Sequence, residues 1–321
     1  MIVACTVSYN SSEIIERTID ALLRQSYPID RIVIADNCST QENKDRLASY
    51  KEKSNAIDII WLDCNGGGAR GFYEAMKYTQ ETYHPDWYWL MDDDAFPEDD
   101  CLSKLLENAK GLDDIGFVAP VIWGIDNKKY QLYHARKSTT NKFNFDKICD
   151  SFDQLNSVER LDVDAFVGPL ISKRAVESCG FPRPGYFLEG DDTDYTYRIT
   201  RVLNGYLIKE AQINHKDLVI SSGINPGMWW KQYYSFRNPL LFAYNNYLGL
   251  DRMKAILLHL RYAGKQIVKM FLDERYKGYR VFRLKILLRG IRDGIQKKDG
   301  IVVEPSAYKE LLARFEANRT A

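Results

Sequence analysis

The sequence predicts an α/β protein with a Rossmann-like, mostly parallel central sheet flanked by helices and a helical, basic C-terminal extension. Apolar runs of strand length alternate with helix-forming segments over the first 120 residues, which is typical of parallel βαβ units. A row of aspartates follows one of these runs. From about residue 226 onward the pattern is helical and rich in Lys and Arg.

Composition limits the class of protein. The chain has 321 residues, of which 13% are aromatic and 27% charged, so it can bury one large core and a smaller one and is not a disordered chain. Its six cysteines lie far apart and form no CxxC pair. This spacing argues against a zinc knuckle or a disulfide framework and predicts reduced thiols. We expect no nucleic-acid partner.

The location of the protein is predicted from two missing signals. The N-terminus begins directly with a strand-like run and shows neither the basic flank nor the cleavage site of a signal peptide. No run approaches the roughly 18 consecutive apolar residues that cross a bilayer. We therefore expect a cytoplasmic protein whose membrane contact is peripheral.

The predicted elements follow in chain order. A strand over 2–7 leads to a helix over 12–25, for which Ser11 or Ser12 provides the N-cap. Further strands are predicted at 31–37, 56–63, 86–91, 115–122 and 161–172. A helix begins near Asp191, and we place a soft domain boundary near residue 225.

The aspartates after the strand at 86–91 are the first candidate site. Asp92 and Asp94 are two residues apart, so on an extended segment both carboxylates point to one side and can bind a hard cation such as Mg²⁺ or Mn²⁺. Open α/β sheets bind ligands at the C-terminal ends of their strands. The alternative is a solvated acidic turn that caps the helix near Cys101.

Two further segments suit a phosphate or a nucleotide. Residues 65–72, NGGGARGF, join a strand to a helix, where glycine lets the backbone approach a ligand and the helix N-terminus favours anions. Arg70 favours a phosphate or sugar site over a loose turn. Asp36 and Asn37 end the second strand, a position suited to hydrogen bonding a ribose or base.

A second acidic group lies further along the chain. Glu189, Asp191, Asp192 and Asp194 cluster at a helix start and offer a general base. His215 follows a strand-like run and could supply a nitrogen ligand to the same metal, although a lone histidine is more often structural.

These motifs together resemble the family 2 inverting glycosyltransferases of the GT-A fold, over roughly residues 1–240. The matching segments are TVSYN at 6–10, IADNCST at 34–40, NGGGARGF at 65–72, LMDDDAFP at 90–97, EGDDTDYTYR at 189–198, INHKD at 213–217 and YYSFRN at 233–238. Within the family they are most similar to bacterial galactofuranosyltransferases and rhamnosyltransferases.

The resemblance implies a role for each matching residue. Asp92, Asp94 and His215 would hold Mn²⁺ or Mg²⁺, and Asp192 would be the catalytic base, with Asp191 as its rival. The donor-binding residues implied are Tyr9, Asn10, Asp36, Asn37, Asn65, Gly67, Gly68, Arg70, Asp93, Trp229 and Arg237. Arg70 departs from the small residue that many relatives have at its position.

The resemblance also implies a reaction. Residues 1–225 would form the catalytic domain, with the nucleotide-sugar half over about 1–120 and the acceptor half over about 121–225. The donor would be UDP-galactofuranose first and dTDP-rhamnose second, and the acceptor a lipid-linked glycan or polysaccharide at the inner face of a bacterial membrane. The rival hypotheses are a metal-dependent phosphoesterase or nucleotidyltransferase and an inactive nucleotide-binding scaffold.

The C-terminal region, 226–321, carries its own pattern. Between Arg252 and Lys298 there are fourteen Lys or Arg and three Asp or Glu. Apolar residues at helical spacings mixed with these cations predict an interfacial helix that binds anionic lipid. The alternative is a helical tail that packs on the core or on another subunit of a homo-oligomer. Trp229, Trp230, Tyr233 and Tyr234 could stack on sugar rings or close over the donor, or could simply pack between helices.

Overall fold

A computed structural model describes residues 1–131, 133–139, 142–216 and 223–320. The chain forms two compact units. The first comprises Met1–Pro184 with Asp192–Leu218, and the second comprises Gly185–Asp191 with Val219–Ala321. The short segment Gly185–Asp191, which the sequence pattern did not separate from its surroundings, thus belongs to the C-terminal unit.

The first unit contains a nine-stranded sheet and a separate two-stranded one. Its strands are β1 Ile2–Ser8, β2 Arg31–Asp36, β3 Ile57–Trp61, β4 Trp87–Met91, β5 Ala95–Pro97, β6 Ile115–Gly124, β7 Arg136–Ser138, β8 Phe145–Lys147, β9 Val158–Leu161, β10 Val167–Ser172 and β11 Asn204–His215. The order in the large sheet is β3-β2-β1-β4-β10-β6-β11-β5, with β9 paired to β11, and β7 pairs with β8.

The strand directions confirm the α/β class and refine the sheet. Strands β1 to β4 pair in parallel, as the alternating pattern predicts. The second half is mixed, because β10 runs antiparallel to both β4 and β6 while β6 and β11 are parallel. The C-terminal ends of β1 to β4 therefore lie at one end of the sheet, where the aspartates follow β4 and the glycine segment follows β3.

Six helices cover the two faces of this sheet. They are α1 Ser12–Leu23, α2 Gln41–Lys53, α3 Gly67–Tyr83, α4 Cys101–Ala109, α5 Lys173–Cys179 and α6 Asp191–Thr200. Successive residues of β1 alternate between two buried clusters: Ile2 and Ala4 pack with α1 and α4, and Val3 and Cys5 pack with α3, α5 and α6. The alternation follows from the two-residue period of a strand.

Two sequence expectations require correction. The apolar run 161–172 is not one strand, because residues 162–166 form a connection between β9 and β10. Ser11 occupies the N-cap position of α1 but makes no side-chain cap bond; its hydroxyl donates to the carboxylate of Asp93 instead. The cysteines are all unpaired, as predicted.

The second unit contains four long helices: α7 Trp229–Asn246, α8 Gly249–Leu272, α9 Arg280–Ile295 and α10 Pro305–Thr320. Its core is aromatic, with Trp229, Tyr233 and Tyr234 packed against Phe282 and Tyr308. Within the described ranges, none of the helices is both long enough and apolar enough to span a bilayer.

Candidate active site

The acidic turn after β4 meets the last residue of β11. Asp92, Asp94 and His215 each offer a ligand atom within 4.8 Å of the others. The Nε2 atom of His215 lies 3.2 Å from Oδ1 of Asp94. The pairing of β11 with β5, in which His215 is opposite Ala95, brings the imidazole to the aspartates.

A glutamine sets the tautomer of this histidine. The side-chain amide of Gln131 donates to the carbonyl of Lys216 at 3.4 Å, so its oxygen faces the two imidazoles. That oxygen accepts from His215 Nδ1 at 3.1 Å and from His134 Nε2 at 2.8 Å. With its proton on Nδ1, His215 presents the Nε2 lone pair to Asp94.

This arrangement fits a divalent cation. A neutral imidazole lone pair 3.2 Å from a carboxylate oxygen is repulsive unless a cation or a proton lies between them. Two carboxylates and one imidazole form a donor set that suits Mg²⁺ or Mn²⁺, and the Gln131 contact orients the histidine as outer partners of metal ligands do. Burial raises the pKa of Asp94, but when a proton rather than a cation lies between the two side chains, the hydrogen bond and charge of His215 outweigh burial and leave this pKa below its ordinary value.

Burial shifts the pKa values of two neighbouring groups. Burial, with a smaller effect of the His215 charge, lowers the pKa of His134 to about 3, so that ring carries no charge near pH 7. Burial raises the pKa of Asp93 to about 6, against the hydrogen bond from Ser11. Asp93 accepts hydrogen bonds from the hydroxyls of Ser11 and Thr18. Its role in binding the donor remains a prediction.

The end of β2 carries a carboxylate with one unused oxygen. Asp36 is 1% exposed, and its Oδ2 accepts from the backbone N–H of Ser39 at 3.0 Å. Its Oδ1 is buried without a hydrogen-bond partner. Asn10, in the loop after β1, joins the same turn by accepting from the N–H of Thr40 at 2.9 Å, and Tyr9 beside it is 48% exposed.

The glycine segment is held by asparagines. The side chain of Asn37 accepts from Gly66 N at 2.9 Å and donates to Gly67 O at 3.0 Å. Asn65 accepts from Gly67 N at 2.9 Å. Gly67 has a φ of 74°, which favours glycine. Asn37 and Asn65 therefore shape the loop through their side chains, a role that the sequence did not indicate.

Arg70 lies over this loop. A Cβ atom on Gly66 would be 2.3 Å from Cδ of Arg70, so the side chain covers the first glycine. Its guanidinium contacts Asp63 Oδ1 at 2.9 Å and Cys64 Sγ at 2.8 Å. Because Asp63 is largely exposed, this ion pair is worth about 0–1 kcal/mol, and an anionic ligand would compete with it.

The second acidic group lies at the start of α6. Asp191 begins the helix and is 8% exposed, whereas Asp192 retains part of its surface. Asp194 is fully buried and bridges Arg183 at 2.6 Å and Arg198 at 3.1 Å, so its role is structural. Glu189 accepts from Ser235 within the second unit.

An arginine connects the acidic helix with the histidines. Arg136, at the start of β7, donates to the Thr193 hydroxyl at 2.8 Å. Its charge lowers the pKa of Asp192 against the larger effect of burial, which raises it above the ordinary value. The same charge also helps to lower the pKa of His134. The charge of Arg136 therefore acts both on Asp192 and on His134, and His134 also interacts with His215 of the metal-ligand group.

Two predicted donor contacts are corrected. Arg237 is 0% exposed and donates to the carbonyls of Gly300, Gly185 and Tyr186 at 2.6–3.2 Å. Trp229 is 3% exposed within the aromatic core. Both side chains are buried in the second unit, so neither has an accessible surface for a donor. The packing alternative for the aromatic residues is the one observed.

Sequence reasoning missed the supporting residues. Gln131, His134 and Arg136 lie in the irregular stretch after β6, where no periodicity marks them. Asp164 interrupts the apolar run 161–172. A charged residue inside such a run argues against one continuous buried strand. Asp217, the last residue of the INHKD motif, lies outside the described residues.

A mixed sheet flanked by helices on both faces is the fold of the GT-A glycosyltransferases. The chain belongs to the family 2 glycosyltransferases. Residues 3–162 match the family model described as glycosyl transferase family 2.

Two relatives are similar in sequence. Galactofuranosyltransferase GlfT1 of Mycolicibacterium smegmatis is 23% identical over 287 residues, which are 87% of this chain and 82% of the relative. TuaG of Bacillus subtilis, named for teichuronic acid biosynthesis, is 34% identical over 102 residues, which are 32% of this chain and 39% of TuaG.

Solved structures share the fold at low identity. Residues 1–349 of S. aureus TarS with UDP-GlcNAc align with a TM-score of 0.56 at 13% identity, covering 92% of this chain and 81% of that one. The Pyrobaculum calidifontis mannosyltransferase with GDP-Man and Mn²⁺ aligns with a TM-score of 0.54 at 12% identity, covering 92% and 87%.

Proposed function

We propose that this glycosyltransferase moves a sugar from a nucleoside diphosphate donor to an acceptor hydroxyl, with inversion at the anomeric carbon and with Mn²⁺ or Mg²⁺ as cofactor. The observation that carries the proposal is that one compact unit holds both the Asp92, Asp94 and His215 group and Asp192, a partly exposed residue. Arg136 and His134 connect the two sites electrostatically.

The chemistry follows from the roles of these groups. Asp192 accepts the proton of the acceptor hydroxyl as its oxygen attacks the anomeric carbon, and the bond from that carbon to the diphosphate breaks with its electron pair on the diphosphate. When bound, a divalent cation at Asp92, Asp94 and His215 supplies positive charge for the diphosphate. The unpartnered Oδ1 of Asp36 accepts from the base or ribose, and the N-terminus of α3 favours the phosphates.

The donor is best assigned from sequence similarity together with this site. A galactofuranosyltransferase aligns over 87% of the chain, and we propose UDP-galactofuranose as the donor and a lipid-linked or polysaccharide glycan as the acceptor. dTDP-rhamnose is the second candidate. Sequence identity of 23% supports the chemistry of the family more strongly than the identity of one sugar.

A donor screen tests this proposal. The full chain is incubated with Mn²⁺, a synthetic lipid-linked glycan and one donor at a time: UDP-galactofuranose, UDP-galactopyranose, dTDP-rhamnose or UDP-GlcNAc. We expect a hexose mass increment on the acceptor with UDP-galactofuranose, and no increment with the Asp192→Asn variant. A deoxyhexose increment would select rhamnose, and UDP release without acceptor extension would indicate nucleotide-sugar hydrolysis.

We further propose that α8 lies on an anionic membrane surface at the inner face of the cell membrane, where a lipid-linked acceptor resides. Its outward face carries the apolar side chains of Met253, Leu257, Val268, Phe271 and Leu272, of which Leu257 is 62% and Leu272 77% exposed. Beside them lie the exposed cations Lys254, Arg261, Lys265 and Lys269. Apolar and cationic residues on one exposed face are typical of interfacial helices.

The charges favour lipid over a second copy of the chain. Asp251, in the first turn, is the single acidic residue of α8. Across the described ranges, Lys254, Arg261 and Lys265 form no ion pair, so their charges are available to an anionic partner. Each basic residue near an anionic surface contributes about 1 kcal/mol.

Vesicle co-sedimentation tests the surface. Replacing Lys254, Arg261 and Lys265 with Glu is expected to weaken binding to phosphatidylglycerol vesicles by at least about 3 kcal/mol, or on the order of a hundredfold. The matched control places the same charge change on the dispersed exposed residues Lys51, Lys110 and Lys309, and we expect it to bind like the parent chain. Equal losses in both variants, or a parent chain that binds neutral vesicles equally well, would contradict a specific lipid surface.

A further inference from the structure

Asp164 is a buried carboxyl that the reaction described above does not use. It lies in the connection between β9 and β10 and is 1% exposed. Neither of its side-chain oxygens has a hydrogen-bond partner, although buried carboxylates in proteins are normally paired or hydrogen-bonded. Its position therefore requires a reason beyond packing.

The backbone of Asp164 is joined to the turn of α6 that carries Asp192. The N–H of Asp164 donates to the Thr196 hydroxyl oxygen at 3.0 Å, and that hydroxyl lies 2.7 Å from the carbonyl oxygen of Asp192. Arg136 is held beside the same connection, because its N–H donates to the carbonyl of Val163 at 3.0 Å. Hydrogen bonds of the backbone thus join Asp164, Asp192 and Arg136, and the charges of their side chains act on one another.

The charges of this group do not balance if both carboxyls ionise. Burial raises the pKa of Asp164 well above its ordinary value, the charge of Asp192 adds to this, and Arg136 and the Ala165 N–H offset only part of it. Burial raises the pKa of Asp192 as well. Tyr130 also interacts electrostatically with Asp164; burial raises the pKa of its phenol, so it stays neutral. One guanidinium can compensate one carboxylate, and the pair retains one proton.

The hydrogen bonds decide which carboxyl holds that proton. Asp192 accepts from the Thr193 N–H in the first turn of α6, where the helix dipole also favours an anion. At Asp164 the adjacent Ala165 N–H only partly offsets burial, and among the described residues no donor has hydrogen-bond geometry to either carboxyl oxygen. We infer that Asp164 is a positioning residue that carries the one proton shared by the Asp164 and Asp192 carboxyls and thereby leaves Asp192 as the anion that serves as base.

The inference rests on the proposed role of Asp192 as the base. It adds that a protonated Asp164 keeps Asp192 ionised. If Asp164 ionised, a second negative charge would raise the pKa of Asp192, and the base would carry a proton near neutral pH. A neutral Asp164 reserves the Arg136 charge for Asp192. The reaction itself is unchanged: the acceptor's proton still goes to Asp192.

The first test replaces Asp164 with Asn, which has the shape and neutrality of the protonated acid. We expect this variant to retain transfer, with the acid limb of its kcat profile displaced by less than about half a pH unit. If Asp164 were ionised, its removal would shift the acid limb to lower pH by more than that. Such a shift, or an inactive Asp164→Asn variant that still folds and binds UDP, would overturn the inference while Asp192→Asn still tests the base.

Two further measurements test whether the protonation of Asp164 and Asp192 is coupled through Arg136. Infrared spectra near pH 7 should show a protonated carboxyl carbonyl band that persists in Asp192→Asn and disappears in Asp164→Asn. Arg136→Gln should lose activity near neutral pH and recover it as pH rises, because loss of the cation raises the pKa of Asp192. The control is Lys137→Gln, which removes the neighbouring cation that pairs with Glu159 and does not act on Asp164 or Asp192, and its acid limb should stay in place. A difference spectrum, parent chain minus Asp164→Asn, that shows no protonated-carboxyl band would overturn the inference.

Discussion

Replacing Asp192 with Asn is expected to abolish sugar transfer while leaving donor binding nearly intact. The amide keeps the shape of the carboxylate and can still accept from the Thr193 N–H, but it cannot take the acceptor's proton. General base catalysis contributes about 10²–10⁴-fold to a rate, so kcat should fall by at least two orders of magnitude. Single-turnover transfer and isothermal titration with UDP measure the two properties separately.

Asp191→Asn is the matched control, because the two carboxyls are adjacent and share the start of α6. We expect this variant to transfer sugar at a rate within tenfold of the parent chain. If Asp191→Asn is inactive and Asp192→Asn is active, with both variants folded, the base is Asp191. The partial exposure of Asp192, which an acceptor hydroxyl needs for access, favours the first outcome.

The elements that could be predicted are those with a regular pattern. Alternating apolar runs and helices define β1 to β4 and their parallel pairing, and the meeting of Asp92 with Asp94 follows from their place at a strand end. The approach of His215 could not be obtained from spacing, because it depends on the pairing of β11 with β5. The family resemblance supplied that contact.

Polar residues at strand ends are harder to interpret. Asp36 and Asn37 are adjacent and equally buried, yet Asp36 keeps an unpartnered oxygen and Asn37 holds the glycine loop. The residue types alone do not separate ligand binding from loop support. The N–H and O–H donors of a ligand and the N–H donors of the backbone suit the same side-chain oxygens. Arg237 is equally ambiguous from sequence. The family resemblance implied that it binds the sugar donor, but its guanidinium donates to three carbonyls of its own chain.

Removing the divalent cation is expected to abolish transfer, and Mn²⁺ or Mg²⁺ should restore it. Asp94→Asn should have the same effect, because it removes one carboxylate from the group with Asp92 and His215. Gln131→Leu should weaken Mn²⁺ binding by about 10- to 100-fold without removing a ligand, because loss of an outer partner frees the histidine to change tautomer and orientation. Electron paramagnetic resonance of free Mn²⁺ gives the affinities directly.

The matched control for the cation site is Asp63→Asn, which removes an exposed carboxylate from the ion pair with Arg70 but leaves Asp92, Asp94 and His215 unchanged. Its Mn²⁺ affinity should equal that of the parent chain. The order of affinities, parent and Asp63→Asn first, Gln131→Leu next and Asp94→Asn last, follows from the distance of each change from the cation. Full transfer in excess chelator, or a Gln131→Leu variant that binds Mn²⁺ like the parent chain, would contradict a metal centre built on His215.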